Sequence, residues 1–326
     1  MLSPADFILL PYTSDMTPAG IAYACQALPL PGSLNTTETY RCLRQMVAQQ
    51  ASELAFRRYL TTIQVPHHFS SDSLFARPGR VSAVIGGRYC HLYISSIFNR
   101  EKIRRIHQDL SSLLVSPTLI QPTELFQDSR SETDLLVFSF VTGLVTPTRA
   151  EIIKATSAGK PIHLLYPLAS AWSQPSHGRS LGRVVLKSES VGRLTVSLGG
   201  YNDSRRYLVS EVELPPLLRV QVQEDYFSLA FVHVSTIPNR RLGLHCTNLD
   251  KTLIILPHQW GNIWVYGMHI VLAGWMTRGE YRRKANPSPK ERYISQPSGG
   301  AGKYLGVPVA QLHPLEELFS RALSWG

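Results

Sequence analysis

The chain has 326 residues, of which 17% are charged and 44% hydrophobic, a composition typical of globular protein and not of a disordered tail. Its formal net charge of +10 favours a polyanionic partner, most often DNA or RNA. The four cysteines are scattered without a CxxC pair, which argues against a zinc site or a disulfide framework. With no apolar run long enough to span a bilayer, we expect a cytoplasmic protein without a membrane partner.

The N-terminal residues 1–33 are apolar but rich in proline, and we interpret them as an irregular or edge-strand leader. A helix is predicted over residues 37–60, because Asn35 and Glu38 have the spacing of a capping box. Glu53 lies off the predicted buried stripe of this helix. That stripe consists of Tyr40, Leu43, Val47, Ala51 and Leu54.

Residues 81–95 alternate in polarity as a β-hairpin would, around the pair Gly86 and Gly87. Its second strand presents His91 and Tyr93 on one face. A second helix is predicted over residues 100–114, with Ile103, Ile106, Leu110 and Leu113 as its buried stripe. Four cations on its polar face could contact a polyanion: Arg100, Lys102, Arg104 and Arg105.

A strand–helix–strand unit is predicted next. The run "LLVFSFV" is continuously apolar, as in strands buried on both faces of a sheet. Thr146 and Pro147 begin a helix that Gly159 ends. The run "IHLLYPL" is the second strand, and a crossover of this length predicts a parallel pair.

The pattern of apolar and turn residues changes after a Ser-, Pro- and Gly-rich linker over residues 171–182. Short strands separated by turn residues then predict a mostly antiparallel, β-rich domain over residues 183–312. A short C-terminal helix over 313–326 carries Leu315, Leu318 and Leu323. We therefore predict an α/β domain over 34–170 followed by this β-rich domain.

A second basic cluster lies late in the chain, in "TRGEYRRKANPSPKERY". Tyr281 and Tyr293 lie among its cations, a mixture in which cations meet phosphates while rings stack on bases. We interpret the segment as a nucleic-acid contact. Its cations are Arg278, Arg282, Arg283, Lys284, Lys290 and Arg292.

The order helix, hairpin, helix, strand, helix, strand across residues 37–166 resembles the core of the PD-(D/E)XK nuclease family. In that family the first hairpin strand carries an acidic residue, the second carries (D/E)-x-K, and a glutamate on the preceding helix often assists. The carboxylates hold Mg²⁺, and the metal and lysine activate water against a phosphodiester.

The diagnostic positions differ in this chain. The first acidic position falls at Ser82 or Ala83, the (D/E)-x-K triplet becomes His91-Leu92-Tyr93, and Glu53 is the candidate helix carboxylate. An imidazole is a poor ligand for Mg²⁺, and a phenol does not replace lysine. The resemblance therefore implies a degenerate nuclease site without a metal cofactor.

The leading hypothesis is a non-catalytic nucleic-acid-binding or scaffold subunit, from a DNA-processing or defence assembly. The first alternative is an active Mg²⁺-dependent nuclease with carboxylates not yet placed, such as Glu53, Asp72, Glu211 or Glu213. The second alternative is a protein-interaction module whose charge only confers solubility.

Overall fold

The structure is a computed structural model. It describes residues 2–27, 36–69, 80–126, 131–146, 148–173, 180–248, 250–288, 294–295 and 304–325. Across these ranges, none of the helices combines the length and hydrophobicity that crossing a membrane would require.

The chain divides into two compact units, each assembled from segments that are distant in the sequence. Unit 1 contains Met1–Gly20, Gln45–Leu144 and Gly267–Gly326. Unit 2 contains Ile21–Arg44 and Val145–Tyr266. This division differs from the predicted sequential domains over 34–170 and 183–312, because local sequence texture does not report which segments pack together.

The predicted leader contains regular structure. Strand β1 (Ile8–Leu10) is an edge strand, as expected, and pairs with β15 (Tyr266–Thr277). Helix α1 (Met16–Ala27) was not predicted. Pro18 lies in its first turn, where a missing N–H costs little. A high proline content was therefore not evidence against a helix in this segment.

Helix α2 (Thr36–Thr62) confirms the helix predicted over 37–60. Asn35 lies outside the described residues, so its capping role stays a prediction. Leu43, Val47 and Ala51 are buried as expected. Glu53, predicted off the buried stripe, is 3% exposed, because the middle of this helix is buried around most of its circumference.

The sheet of unit 1 contains a meander followed by a parallel strand. The meander is β2 (His67–Phe69), β3 (Arg80–Ile85) and β4 (Arg88–Ile97), all antiparallel. Gly86 and Gly87 both have positive φ, as the two-residue turn between β3 and β4 requires. Strand β6 (Leu135–Leu144) is buried along its whole length and pairs parallel with β4. The strand order is β1-β15-β6-β4-β3-β2.

The helix predicted over 100–114 is shorter than expected. Helix α3 (Arg100–Gln108) ends at Asp109, and a 3-10 turn over Leu110–Leu113 follows. The remaining elements of unit 1 are, in chain order, β5 (Pro117–Ile120), α4 (Pro122–Leu125), α7 (Arg278–Lys284), β16 (Asn286–Ser288), β17 (Ile294–Ser295), β18 (Tyr304–Pro308) and α8 (Leu315–Trp325). Strands β5, β18 and β16 form a small antiparallel sheet.

Helix α8 confirms the predicted C-terminal helix in position. Of the leucines named for it, Leu315 and Leu318 are fully buried and Leu323 is 55% exposed.

The predicted parallel pairing of the strand–helix–strand unit is wrong. Helix α5 (Arg149–Ser157) forms and Gly159 has positive φ after it, as expected. Strand β7 (Leu164–Pro167), however, pairs antiparallel with β11 (Arg219–Val234) in the sheet of unit 2. Both edges of β6 are occupied, by β4 and β15, so no edge remains for β7.

Unit 2 is built on an eight-stranded sheet whose strand pairs are antiparallel, which confirms the β-rich prediction in its coarse form. Strand β11 is long, with 16 residues, and contains bulges. Most of β15, predicted for this domain, belongs to unit 1. The remaining elements are α6 (Ser170–Ser173), β8 (Gly182–Ser188), β9 (Leu194–Asn202), β10 (Tyr207–Leu214), β12 (Leu242–Cys246), β13 (Lys251–Ile255) and β14 (Gly261–Asn262).

Candidate functional site

The hairpin of unit 1 brings Ser82 and His91 together. They are cross-strand partners in β3 and β4, and Ser82 Oγ lies 3.1 Å from His91 Nδ1. Asp134, immediately before β6, places Oδ2 3.8 Å from His91 Nε2. His91 and Asp134 are 7% and 6% exposed. The result is a polar cluster of three side chains, of which His91 and Asp134 are buried and Ser82 is half-buried.

Asp134 was not predicted as a site residue. The sequence did contain a signal, because an acidic residue directly precedes the most apolar strand of the chain. The parallel register places the beginning of β6 beside the middle of β4, with Leu136 opposite His91. This register, and therefore the contact, could not be deduced from the sequence pattern.

A serine, a histidine and an aspartate are also the components of a nucleophilic triad. Here the 3.8 Å separation between His91 Nε2 and Asp134 Oδ2 exceeds a hydrogen bond. A nucleophilic serine also needs an open face for its substrate, whereas His91 and Asp134 are buried. The geometry therefore favours a structural polar cluster.

Tyr93, which the resemblance to the PD-(D/E)XK nucleases aligns with a lysine, is part of an aromatic stack. Its ring lies 5.7 Å from the ring of Phe138, its partner in β6, at an interplanar angle of 25°. Phe138 stacks in turn on Tyr281, with centroids 5.5 Å apart. Tyr93 is 8% exposed, so its ring is a core element.

Glu53 pairs with a residue of its own helix. Its Oε1 accepts a hydrogen bond from Arg57 Nη2 at 2.8 Å. Burial raises the pKa of Glu53, and Arg57 opposes that rise. Glu53 Oε2 is buried without a hydrogen-bond partner among the described residues.

The other carboxylates considered for a nuclease are not gathered at the hairpin. Glu211 and Glu213 are exposed on β10 of unit 2, and Glu213 pairs with Arg193 at 2.8 Å. Asp72 lies outside the described residues. Within the described part of the chain, no group of three or more His, Cys, Asp or Glu side chains is arranged to hold a metal ion.

The polar face of α3 presents the four predicted cations towards solvent. Arg100, Arg104 and Arg105 are exposed and Lys102 is half-buried, while Ile103 and Ile106 are buried on the other face. Arg105 forms an ion pair with Glu101 one turn earlier. This pair offsets part of the charge of the helix.

Two residues of the predicted basic segment are core residues. Arg278 is 2% exposed, and its Nε and Nη2 donate to the Leu125 carbonyl at 2.9 and 2.6 Å. Tyr281 is fully buried, and its Oη lies 2.8 Å from Thr118 O. The structure therefore does not support the expected contacts of Arg278 with phosphates and of Tyr281 with bases, because both side chains are buried and hold α7 against the rest of unit 1.

The end of α7 keeps the exposed cations. Arg282 forms an ion pair with Glu132 and lies over the Phe126 ring, 5.0 Å from its centroid. Arg283 and Lys284 are exposed. Lys290, Arg292 and Tyr293 lie outside the described residues. The described basic segment thus offers mainly Arg283 and Lys284 to a partner.

A second basic surface, which was not predicted from the sequence, lies on the sheet of unit 2. A groove of about 450 Å³ lies on one face of β8, β11, β12 and β13, and we call it the basic groove. Its sequence signal was the alternation of exposed Arg183 and Lys187 with buried residues in β8. The lining residues are Val185, Lys187, Glu189, Arg219, Arg241, Gly243, His245, Thr252 and Ile254.

Comparison of the chain with models of known protein families finds no match, and neither does comparison with curated proteins or with solved structures.

Proposed function

We propose that this protein is a non-catalytic nucleic-acid-binding or scaffold subunit whose unit 1 contains a degenerate PD-(D/E)XK-like core. The support for the core is topological. Helix α2 precedes the antiparallel meander β2-β3-β4, and α3 then leads to β6, which is parallel to β4. This agrees with the first four elements of the order helix, hairpin, helix, strand, helix, strand on which the resemblance rests. The last strand of that order, β7, pairs with β11 in the sheet of unit 2 instead.

One observation carries the non-catalytic part of the proposal. At the positions where an active relative needs a carboxylate, a carboxylate and a lysine, this chain has Ser82, His91 and Tyr93. Ser82 and His91 bond to each other, and Tyr93 stacks on Phe138. Hard divalent ions need several anionic oxygens, and these three groups supply none.

The nucleic-acid part of the proposal is supported by charge and its placement. The net charge is +10, and exposed cations lie on α3 and at the end of α7. Lys and Arg side chains bind phosphates and release counterions, which gives affinity without base recognition. DNA or RNA is therefore the proposed partner. The proposed compartment is the cytoplasm, where the four free cysteines would stay reduced.

The second candidate is an active Mg²⁺-dependent nuclease, and Asp134 is the observation in its favour. It supplies one carboxylate beside His91, close to the position of the diagnostic triplet. A single carboxylate with one imidazole is a weak ligand set for Mg²⁺, so we rank this candidate lower.

Nucleic-acid binding by α7 is tested with the double variant Arg283→Ala, Lys284→Ala. We expect weaker binding to a labelled DNA duplex and a salt dependence that is shallower by about one unit of slope per lost phosphate contact. Fluorescence anisotropy over a salt series measures both quantities.

The matched control is Lys154→Ala, Lys160→Ala, which removes two exposed cations at and just beyond α5. Equal loss in both double variants would mean that only net charge matters. Unchanged affinity and slope in the α7 variant, with its fold intact, would remove α7 from the interface.

A further inference from the structure

The basic groove is an ordered row of side chains on one sheet face. Arg219 in β11 is opposite Lys187 in β8, Lys187 is opposite Gly243 in β12, and Gly243 is opposite Ile254 in β13. Directly paired residues point to the same face of a sheet. The row therefore crosses four neighbouring strands, a distance of about 14 Å at the usual strand spacing.

The charges of this row are unbalanced. Lys187, Arg219 and Arg241 line the groove together with one carboxylate, Glu189. Arg241 donates to both oxygens of Glu189, at 2.9 and 2.8 Å. Within the described part of the chain, neither Lys187 nor Arg219 makes an ion pair, so the groove has a local excess of positive charge.

The pairing of Lys187 with Arg219 is unfavourable by itself. Like charges directly opposite on neighbouring strands repel, and this repulsion lowers the stability of the sheet. An anion lying between them would convert the repulsion into two attractions.

The floor of the groove is open at Gly243. A Cβ built on this glycine would meet only Lys187 O, at 3.8 Å, which is an ordinary contact. A side chain at this position would therefore extend into the groove, between the cations, and not into the core. This makes Gly243 a position from which the groove can be filled.

We propose that the basic groove binds the phosphate backbone of a nucleic-acid duplex. The inference rests on the proposed function and assigns part of its binding surface to unit 2. Among the described residues, no Phe, Tyr or Trp lines the groove, so this lining offers no aromatic ring on which unpaired bases could stack. Its contacts are charge contacts, so binding is independent of base sequence and depends strongly on salt.

The first experiment reverses the charges, with the double variant Lys187→Glu, Arg219→Glu. We expect the affinity for a DNA duplex to fall by about tenfold per lost phosphate contact at ~0.1 M salt, with a shallower salt slope. The control Lys251→Glu is compared with the single variant Lys187→Glu, so that each reverses one charge. Lys251 pairs with buried Cys246 and so points away from the groove. The control should bind like the unmodified protein.

The second experiment fills the groove without changing charge. Gly243→Tyr is expected to weaken duplex binding, because the ring would lie between Lys187 and the ligand. Gly192→Tyr is the control, since a Cβ at Gly192 meets no atom within 4 Å and Gly192 does not line the groove. Circular dichroism and thermal melting would verify that both variants fold.

The outcomes separate this inference from the proposed function. If the groove variants bind like the unmodified protein while the α7 variant loses affinity, the groove assignment is wrong and the proposed function stands. If the unmodified protein binds no duplex at any salt concentration, both are wrong. If poly-glutamate binds more tightly than the duplex and the groove variants lose that binding, the partner is an acidic protein and the inference is overturned.

Discussion

The proposed resemblance to the PD-(D/E)XK nucleases aligns Tyr93 with a lysine, and the surroundings of Tyr93 are those of a core residue. Its ring stacks on Phe138, and Phe138 stacks on Tyr281. A lysine at this position would put an ammonium group among aromatic rings. Burial in such surroundings strongly disfavours the charged form of lysine.

Tyr93→Lys is therefore expected to destabilise the protein by about 3–5 kcal/mol, from lost aromatic burial and the desolvated amine. Tyr89→Lys is the matched control, since Tyr89 lies on the same strand and face but is 68% exposed. Urea unfolding of both variants measures the difference. Equal stability of the two would mean that position 93 faces a polar cleft, and the degenerate-site interpretation would lose its main support.

The candidate site was predictable from the sequence only in part. The hairpin, its turn and the absence of carboxylates at Ser82, His91 and Tyr93 follow from the residue pattern. The contact of His91 with Asp134 depends on the register of two strands separated by α3 and β5. Arg278 and Tyr281 have polar side chains, which are usually exposed, and their burial becomes visible only in the packed structure.

At the scale of elements, a pair of histidines lies where β7 pairs with β11 in unit 2. His163 is buried and immediately precedes β7, and His233 is half-buried in β11. His163 Nδ1 lies 3.1 Å from His233 Nε2, and the rings stack with their centroids 5.3 Å apart. Burial lowers the pKa of both histidines to about 4, and for His233 the neighbouring His163 adds to the effect. Both rings are therefore neutral in the folded protein near neutral pH.

The folded pKa of each ring lies below its unfolded value of about 6.5, so protons bind more tightly to the unfolded chain. The stability that this pair contributes is fully present above pH ~6.5 and is lost as the pH falls towards 4. Thermal melting at a series of pH values should show this loss. The double variant His163→Phe, His233→Phe should flatten the profile over that range, whereas exposed His258→Asn should not. A double variant as pH-sensitive as the unmodified protein would contradict this account.

The positions of helices and strands were more predictable than the pairing between strands. Helices α2 and α5 and most strands of unit 2 lie where periodicity and turn residues predicted them. The pairing of β7 with β11 was not predicted. The length of the connection between β6 and β7 allows a parallel pair but does not require one. Helix α1 was missed because Pro18 and Gly20 are residue types typical of loops.

At the scale of the whole molecule, the chain contributes several segments to each of the two units. A change in sequence texture at residues 171–182 marked a real increase in strand content, but not a boundary between units. The charge distribution is also spread along the chain, with cations on α3, on α7 and in the basic groove. Salt-dependent binding is therefore expected from both units, and single substitutions should have modest effects.

The most direct test of the central claim combines binding and cleavage in one sample. The unmodified protein is mixed with a labelled DNA duplex and Mg²⁺, anisotropy is recorded over a salt series, and the same samples are then run on a denaturing gel. We predict a rise in anisotropy that declines with increasing salt, with full-length strands on the gel. Shortened strands that disappear with EDTA and with Asp134→Asn would instead establish an active nuclease and contradict the account.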